Sequence, residues 1–79
     1  MINIYNEEFL KAFGENLRKI REKKDLSQRA LAEIAGIDFT QIGRIERGEI
    51  NTTLSSVYTL AKALEVPLTK LFAFDFKEK

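Results

Sequence analysis

Residues 26–48 read Leu26-Ser27-Gln28-Arg29-Ala30-Leu31-Ala32-Glu33-Ile34-Ala35-Gly36-Ile37-Asp38-Phe39-Thr40-Gln41-Ile42-Gly43-Arg44-Ile45-Glu46-Arg47-Gly48, and this stretch decides the fold. Ser27 suits a helix start, because its hydroxyl can accept a hydrogen bond from a free N–H of the first turn. Ala30, Leu31, Ile34 and Ala35 then share one narrow apolar face, and Gly36 supplies a left-handed stop. The spacing predicts a short helix over 28–35. Asp38 caps the next helix, predicted over Phe39 to about Arg47, with Ile42 and Ile45 turned inward and Gly48 as its terminus. A turn of about three residues joins the two, so they must cross steeply, near the ~90–120° of a helix-turn-helix.

The flanks are helical too. Upstream, Phe9, Phe13, Leu17 and Ile20 recur at helical spacing between Asn6 and Lys24, with Leu10 beside them. Asn6 is a good cap, Glu7 and Glu8 suit the positive end of the helix dipole, and Lys23 and Lys24 suit its negative end. Gly14, inside this helix, costs about 1 kcal/mol relative to alanine. Downstream, Thr53 caps a helix carrying Leu54, Val57, Leu60, Ala61 and Leu64, which Val66-Pro67 breaks. Pro67 followed by Leu68, Leu71 and Phe72 predicts a fifth, shorter helix. The end reads two ways: Phe72, Phe74 and Phe76 at spacing two fit a strand face, whereas Leu68, Leu71 and Phe72 fit a helix, the favoured reading being a helix that frays after Ala73. Ile2 and Ile4 alternate and offer such a strand a partner.

Seventy-nine residues make one domain, 1–79, with its core over 9–72 and an apolar tail over 73–79. The chain has neither cysteine nor histidine, which removes the usual zinc site, the thiol nucleophile and the commonest acid/base catalyst. No enzyme activity, metal or cofactor is expected; scattered carboxylates such as Glu33 and Glu46 read as solvated or structural. The net charge of +1 is too small to argue for nucleic acid by itself, and it is split into +2 over residues 1–24 and −2 over 25–50. No apolar run approaches the ~18 residues of a membrane span, and the start through Glu8 does not read as a secretory signal, so a cytoplasmic, nucleoid-associated protein is expected.

From Phe13 to Phe72 the chain resembles the Cro/CI-type helix-turn-helix regulators, also called lambda-repressor-like or XRE-family. The resemblance is carried by Leu17-Arg18-Lys19-Ile20-Arg21 before Leu26-Ser27-Gln28, and by Leu31-Ala32-Glu33 before Gly36-Ile37. It continues through Ile42-Gly43-Arg44-Ile45-Glu46-Arg47-Gly48 and Leu60-Ala61-Lys62-Ala63-Leu64-Glu65-Val66. It implies a compact all-α domain of five helices and a double-stranded DNA partner. Ser27 and Gln28, at a helix start, would hold a phosphate, unless Gln28 only extends the cap. The recognition helix would present Phe39, Thr40, Gln41 and Arg44 to the major groove, with Arg44 the foremost base reader and Asn51 adding a contact from the loop. Phe39 has a second reading, as a staple packed on the body. The resemblance also places Arg21 and Glu46 as an internal ion pair.

Gly43, Glu49, Ile50 and Thr52 depart from the family pattern, Gly43 by leaving out a side chain in the middle of the recognition helix. The function implied is a sequence-specific transcriptional regulator, a homodimeric repressor or restriction-modification controller on a two-fold symmetric operator, without a small-molecule ligand or membrane. Leu68, Leu71, Phe72, Phe74 and Phe76 are the candidate dimer interface, unless they fold back on Phe9 and Phe13 to complete the core. The alternative is an antitoxin or other interaction module whose DNA binding is autoregulatory.

Overall fold

Capping fixes where each helix begins. The Asn6 side chain accepts a hydrogen bond from the Phe9 N–H at 2.9 Å and opens α1 (Glu7–Lys23). Ser27 Oγ accepts from the Ala30 N–H at 3.0 Å and opens α2 (Gln28–Ala35), and Thr53 Oγ1 accepts from the Ser56 N–H at 3.1 Å and opens α4 (Leu54–Leu64). Asp38 differs from the expectation: it precedes α3 (Phe39–Glu46) without a side-chain capping bond, and the short turn alone redirects the chain. The computed structural model describes residues 5–77, all helix, turn and loop with no strand among them; Ile2, Ile4 and the last two residues lie outside that range.

Leu17, Leu31, Ile42, Leu60, Leu64 and Leu71 are fully buried and draw every helix onto one centre. Burying side chains of this size contributes about 1.5–3 kcal/mol each, the main term holding so small a fold together. Two residues expected on apolar faces lie outside it. Ile34 is 57% exposed and Leu54 is 84% exposed, because each sits on the flank of a short helix whose inward stripe is only two or three side chains wide.

The fifth helix is a 3-10 helix, Leu68–Phe72, so the all-α fold has four α-helices and one tighter turn. Its bonds run from the Lys70 N–H to the Pro67 carbonyl and from the Ala73 N–H to the Lys70 carbonyl. Asn16 on α1 ties it to the body: its Nδ2 donates to the carbonyls of Lys70 and Leu71 at 3.1 and 2.9 Å, pairing them from the side. Residues 73–77 beyond it are neither helix nor strand. Phe74 and Phe76 pack on Phe9 with ring centroids 5.8 and 5.3 Å away, and Phe72 lies 5.3 Å from Phe13.

Gly14 has a reason that periodicity does not show. A Cβ there would lie 2.5 Å from the Glu46 carbonyl oxygen and would also meet that of Ile45, so only glycine lets α1 touch the end of α3. Gly48 seals the same seam. Its φ of +73° reverses the chain, and a Cβ would lie 2.6 Å from Lys11 Cα.

Candidate nucleic-acid interface

α2 and α3 are held by one carboxylate. Arg21 Nε donates to Glu46 Oε2 at 2.6 Å and Nη2 to Oε1 at 3.0 Å, while Nη1 donates to the Leu26 carbonyl at 2.8 Å. Both residues are more than nine-tenths buried. A forked, charge-assisted pair of this kind fixes direction as well as distance. The Glu46 side chain beside it holds the Arg21 guanidinium even further above its ordinary range, against the opposing effect of burial. Gln28 joins the same group, its Nε2 donating to Glu46 Oε1 at 2.9 Å. The Gln28 amide, expected to face a phosphate or extend the cap, is thus tied into the interior network.

The start of α2 keeps a binding capacity of its own. A helix leaves its first N–H groups without intrahelical acceptors, and Ser27 uses only that of Ala30. Lys23 and Lys24 are exposed at the end of α1, two residues from Leu26 at the nearest.

α3 divides cleanly. Ile42 and Ile45 are buried, whereas Phe39, Thr40, Gln41 and Arg44 are exposed. Phe39 is 41% exposed, too open for a staple; the Arg29 guanidinium stacks 4.4 Å from its ring centroid, joining a cation from α2 to the first residue of α3. Asn51 is exposed in the loop between α3 and α4. Gly43 is buried, and a Cβ there would meet the ends of two flexible side chains, Arg47 Nη1 at 3.0 Å and Gln28 Oε1 at 3.5 Å.

A pairing at this end escaped the sequence reading, which took Glu49 only as a departure from the family pattern and Arg47 only as part of its motif. Arg47 Nε donates to Glu49 Oε2 at 2.7 Å and Nη2 to Oε1 at 3.3 Å, and Arg44 Nε stands 3.8 Å from Glu49 Oε1. The Glu49 carboxyl is held below the usual carboxylate range chiefly by its bond to Arg47, which outweighs the opposing effect of desolvation, with the charges of Arg47 and Arg44 adding to it. The signal was the word Arg47-Gly48-Glu49, in which a left-handed glycine turns its two neighbours to one side. Among the described residues no group of three or more acidic side chains is placed to hold a metal ion, and no helix is long and apolar enough to cross a membrane.

Two short helices joined by a three-residue turn, the second with one polar, arginine-bearing face, are the arrangement of a helix-turn-helix. Residues 17–71 match the helix-turn-helix family, and the chain belongs to it. It is 51% identical over 58 residues to Control protein C.SmaI of Serratia marcescens, spanning 73% of this chain and 69% of that one. It is 37% identical over 67 residues to Control protein C.MunI of Mycoplasma sp, spanning 84% and 90%. Its fold is similar to the crystal structure of the restriction-modification controller protein C.AhdI from Aeromonas hydrophila, with a TM-score of 0.79 and 41% identity over 80% of this chain and 96% of that one.

Proposed function

We infer that this chain is a sequence-specific DNA-binding transcriptional regulator of the restriction-modification controller type, acting in the cytoplasm as a homodimer on a two-fold symmetric operator. The observation that carries this is the division of α3, whose buried isoleucines orient Thr40, Gln41 and Arg44 together toward solvent. Likeness to two control proteins and a controller structure supports it. Arg44 reads a base edge, a bidentate contact to guanine contributing about 1–3 kcal/mol of discrimination. Phe39 and Thr40 add contacts at the helix start, and the Ser27-Gln28 backbone and Asn51 hold the phosphates. The chain binds, and no reaction, cofactor or small-molecule ligand is assigned to it.

One recognition helix addresses only a few base pairs, so selectivity calls for two half-sites about 10–10.5 base pairs apart and therefore two copies. Leu71 is wholly buried, and Phe74 and Phe76 pack on Phe9 while staying partly exposed, so Leu68 and Phe72 offer the most open surface of the expected interface. Leu68 and Phe72 stay 44% and 42% exposed and join Leu54 and Tyr58, at 84% and 55%, around a shallow apolar depression floored by Val57. A second copy covers this α4 face. The same infolding takes away the free aromatic tail that favoured an antitoxin.

Selection of sites from randomised duplex DNA, with Arg44→Ala alongside, tests the reading. A symmetric enriched site whose preference relaxes in the variant is expected; no enrichment, with only weak salt-sensitive binding, would overturn it.

A further inference from the structure

Glu49 is an acid set among the arginines of a surface proposed to meet DNA, and its position is not accidental. Its N–H donates to the Arg44 carbonyl at 2.9 Å, its own carbonyl accepts from the Tyr5 hydroxyl at 3.0 Å, and Gly48 at φ +73° turns it back toward α3. The main chain therefore holds the carboxylate against the arginines, independently of the ion pairs it makes.

The two arginines are held differently. Arg47 is engaged through Nε and Nη2 together, the whole side edge of its guanidinium, whereas the shortest approach of Arg44 to the same carboxylate is Nε at 3.8 Å, beyond hydrogen-bond distance. A guanidinium has a second bidentate edge, Nη1 with Nη2, which suits the O6 and N7 of guanine. Arg44 can offer that end edge to a base while its Nε stays beside Glu49. Arg47, to neutralise a phosphate through the side edge, must first give up two charge-assisted bonds.

We propose that Glu49 is a specificity-determining positioning residue: it braces Arg44 for a base edge and withholds Arg47, and any swung-away Arg44, from indiscriminate phosphate contact. The proposal rests on the DNA-binding reading above. In it, random-sequence DNA must compete with an internal carboxylate, while the operator binds without displacing it. A glutamate in a phosphate-facing loop, which by itself only repels DNA, then raises the ratio of selective to non-selective binding.

The test uses the full chain and Glu49→Gln, whose backbone bonds at residue 49 are retained. Binding is measured across a salt series to a random-sequence 30-base-pair duplex and to the duplex enriched by selection on the wild-type protein. Expected for Glu49→Gln is about tenfold tighter binding to the random duplex, with log K falling more steeply with log salt by about 0.9–1.8, one or two additional phosphates. Affinity for the enriched duplex should change much less, so the selectivity ratio falls by about tenfold. Unchanged random-duplex binding, or equal gains on both duplexes, would overturn the proposal. So would persistence of the Glu49→Gln effect in an Arg44→Gln/Arg47→Gln background, which would mark a plain loss of negative charge. A wild-type protein with no sequence preference would overturn the regulator reading and this inference together, whereas a selective wild type with an indifferent Glu49→Gln overturns this inference alone.

Discussion

At the scale of single residues, Arg21 and Glu46 are the most consequential pair, because each is buried and neither has another counter-charge as close. Truncating one partner strands the other, which costs about 3–5 kcal/mol. Arg21→Ala should therefore lower the thermal midpoint by more than about 12 °C, read by circular dichroism. An unchanged midpoint with lost DNA binding would assign Arg21 to the interface. Glu49 behaves oppositely, as an exposed acid that titrates late. Because its folded pKa lies below its unfolded one, the contribution of its pair is complete above the unfolded carboxylate value and fades as pH falls through the folded value. Carboxyl-detected NMR should place the Glu49 midpoint below the ordinary glutamate range, and Arg47→Gln should bring it back up. The identity of Arg44 and the ion pair were legible in the sequence because family words fix their register. The Arg47–Glu49 pair was not, since it depends on a glycine dihedral that spacing does not encode.

At the scale of elements, the four α-helices were legible to within a residue or so because Asn6, Ser27, Thr53 and Gly36 mark their ends by local chemistry. The 3-10 helix was not. Leu68, Leu71 and Phe72 fit either helical period, and the carbonyls at its end are paired by Asn16, more than fifty positions away along the chain, which local spacing does not show. Gly14 shows the same non-local control over energetics. Alanine there improves helix propensity by about 1 kcal/mol, yet its Cβ meets two carbonyl oxygens of α3 that are fixed by their own helix. Overpacking costs about 1–3 kcal/mol, and backbone neighbours place this site at the upper end. Gly14→Ala should accordingly be less stable than the wild type in urea titration; a gain in stability would mean that α1 and α3 sit further apart than described.

At the scale of the whole molecule, the core was legible in the apolar periodicity, but its outer boundary was not. Leu54 repeats with Val57, Leu60, Ala61 and Leu64, and nothing in the pattern says that it alone stays in solvent. For the aromatic tail the pattern left two readings open, an interface or a return onto Phe9 and Phe13, and the contacts of Phe74 and Phe76 with Phe9 and of Phe72 with Phe13 follow the second. The exposed apolar face of α4 is what a second copy would cover, so Leu54→Glu should leave the fold intact and shift the protein to monomer in sedimentation velocity. Binding to a two-half-site duplex should fall at least about tenfold, as the advantage of a linked second half-site is lost. A dimer of undiminished strength would move the interface elsewhere.

The three-way meeting of Arg21, Gln28 and Glu46 has a dynamic consequence. One carboxylate receives a donor from α1 and another from α2 while belonging to α3, so none of the three helices can lift away without uncovering a buried charge. Fluctuations that would let the DNA-facing pair swivel are joined to the opening of the helix behind it, and the amides of all three should exchange with solvent as one cooperative unit. In the DNA-binding reading proposed above, the two helices would thus meet the duplex already assembled.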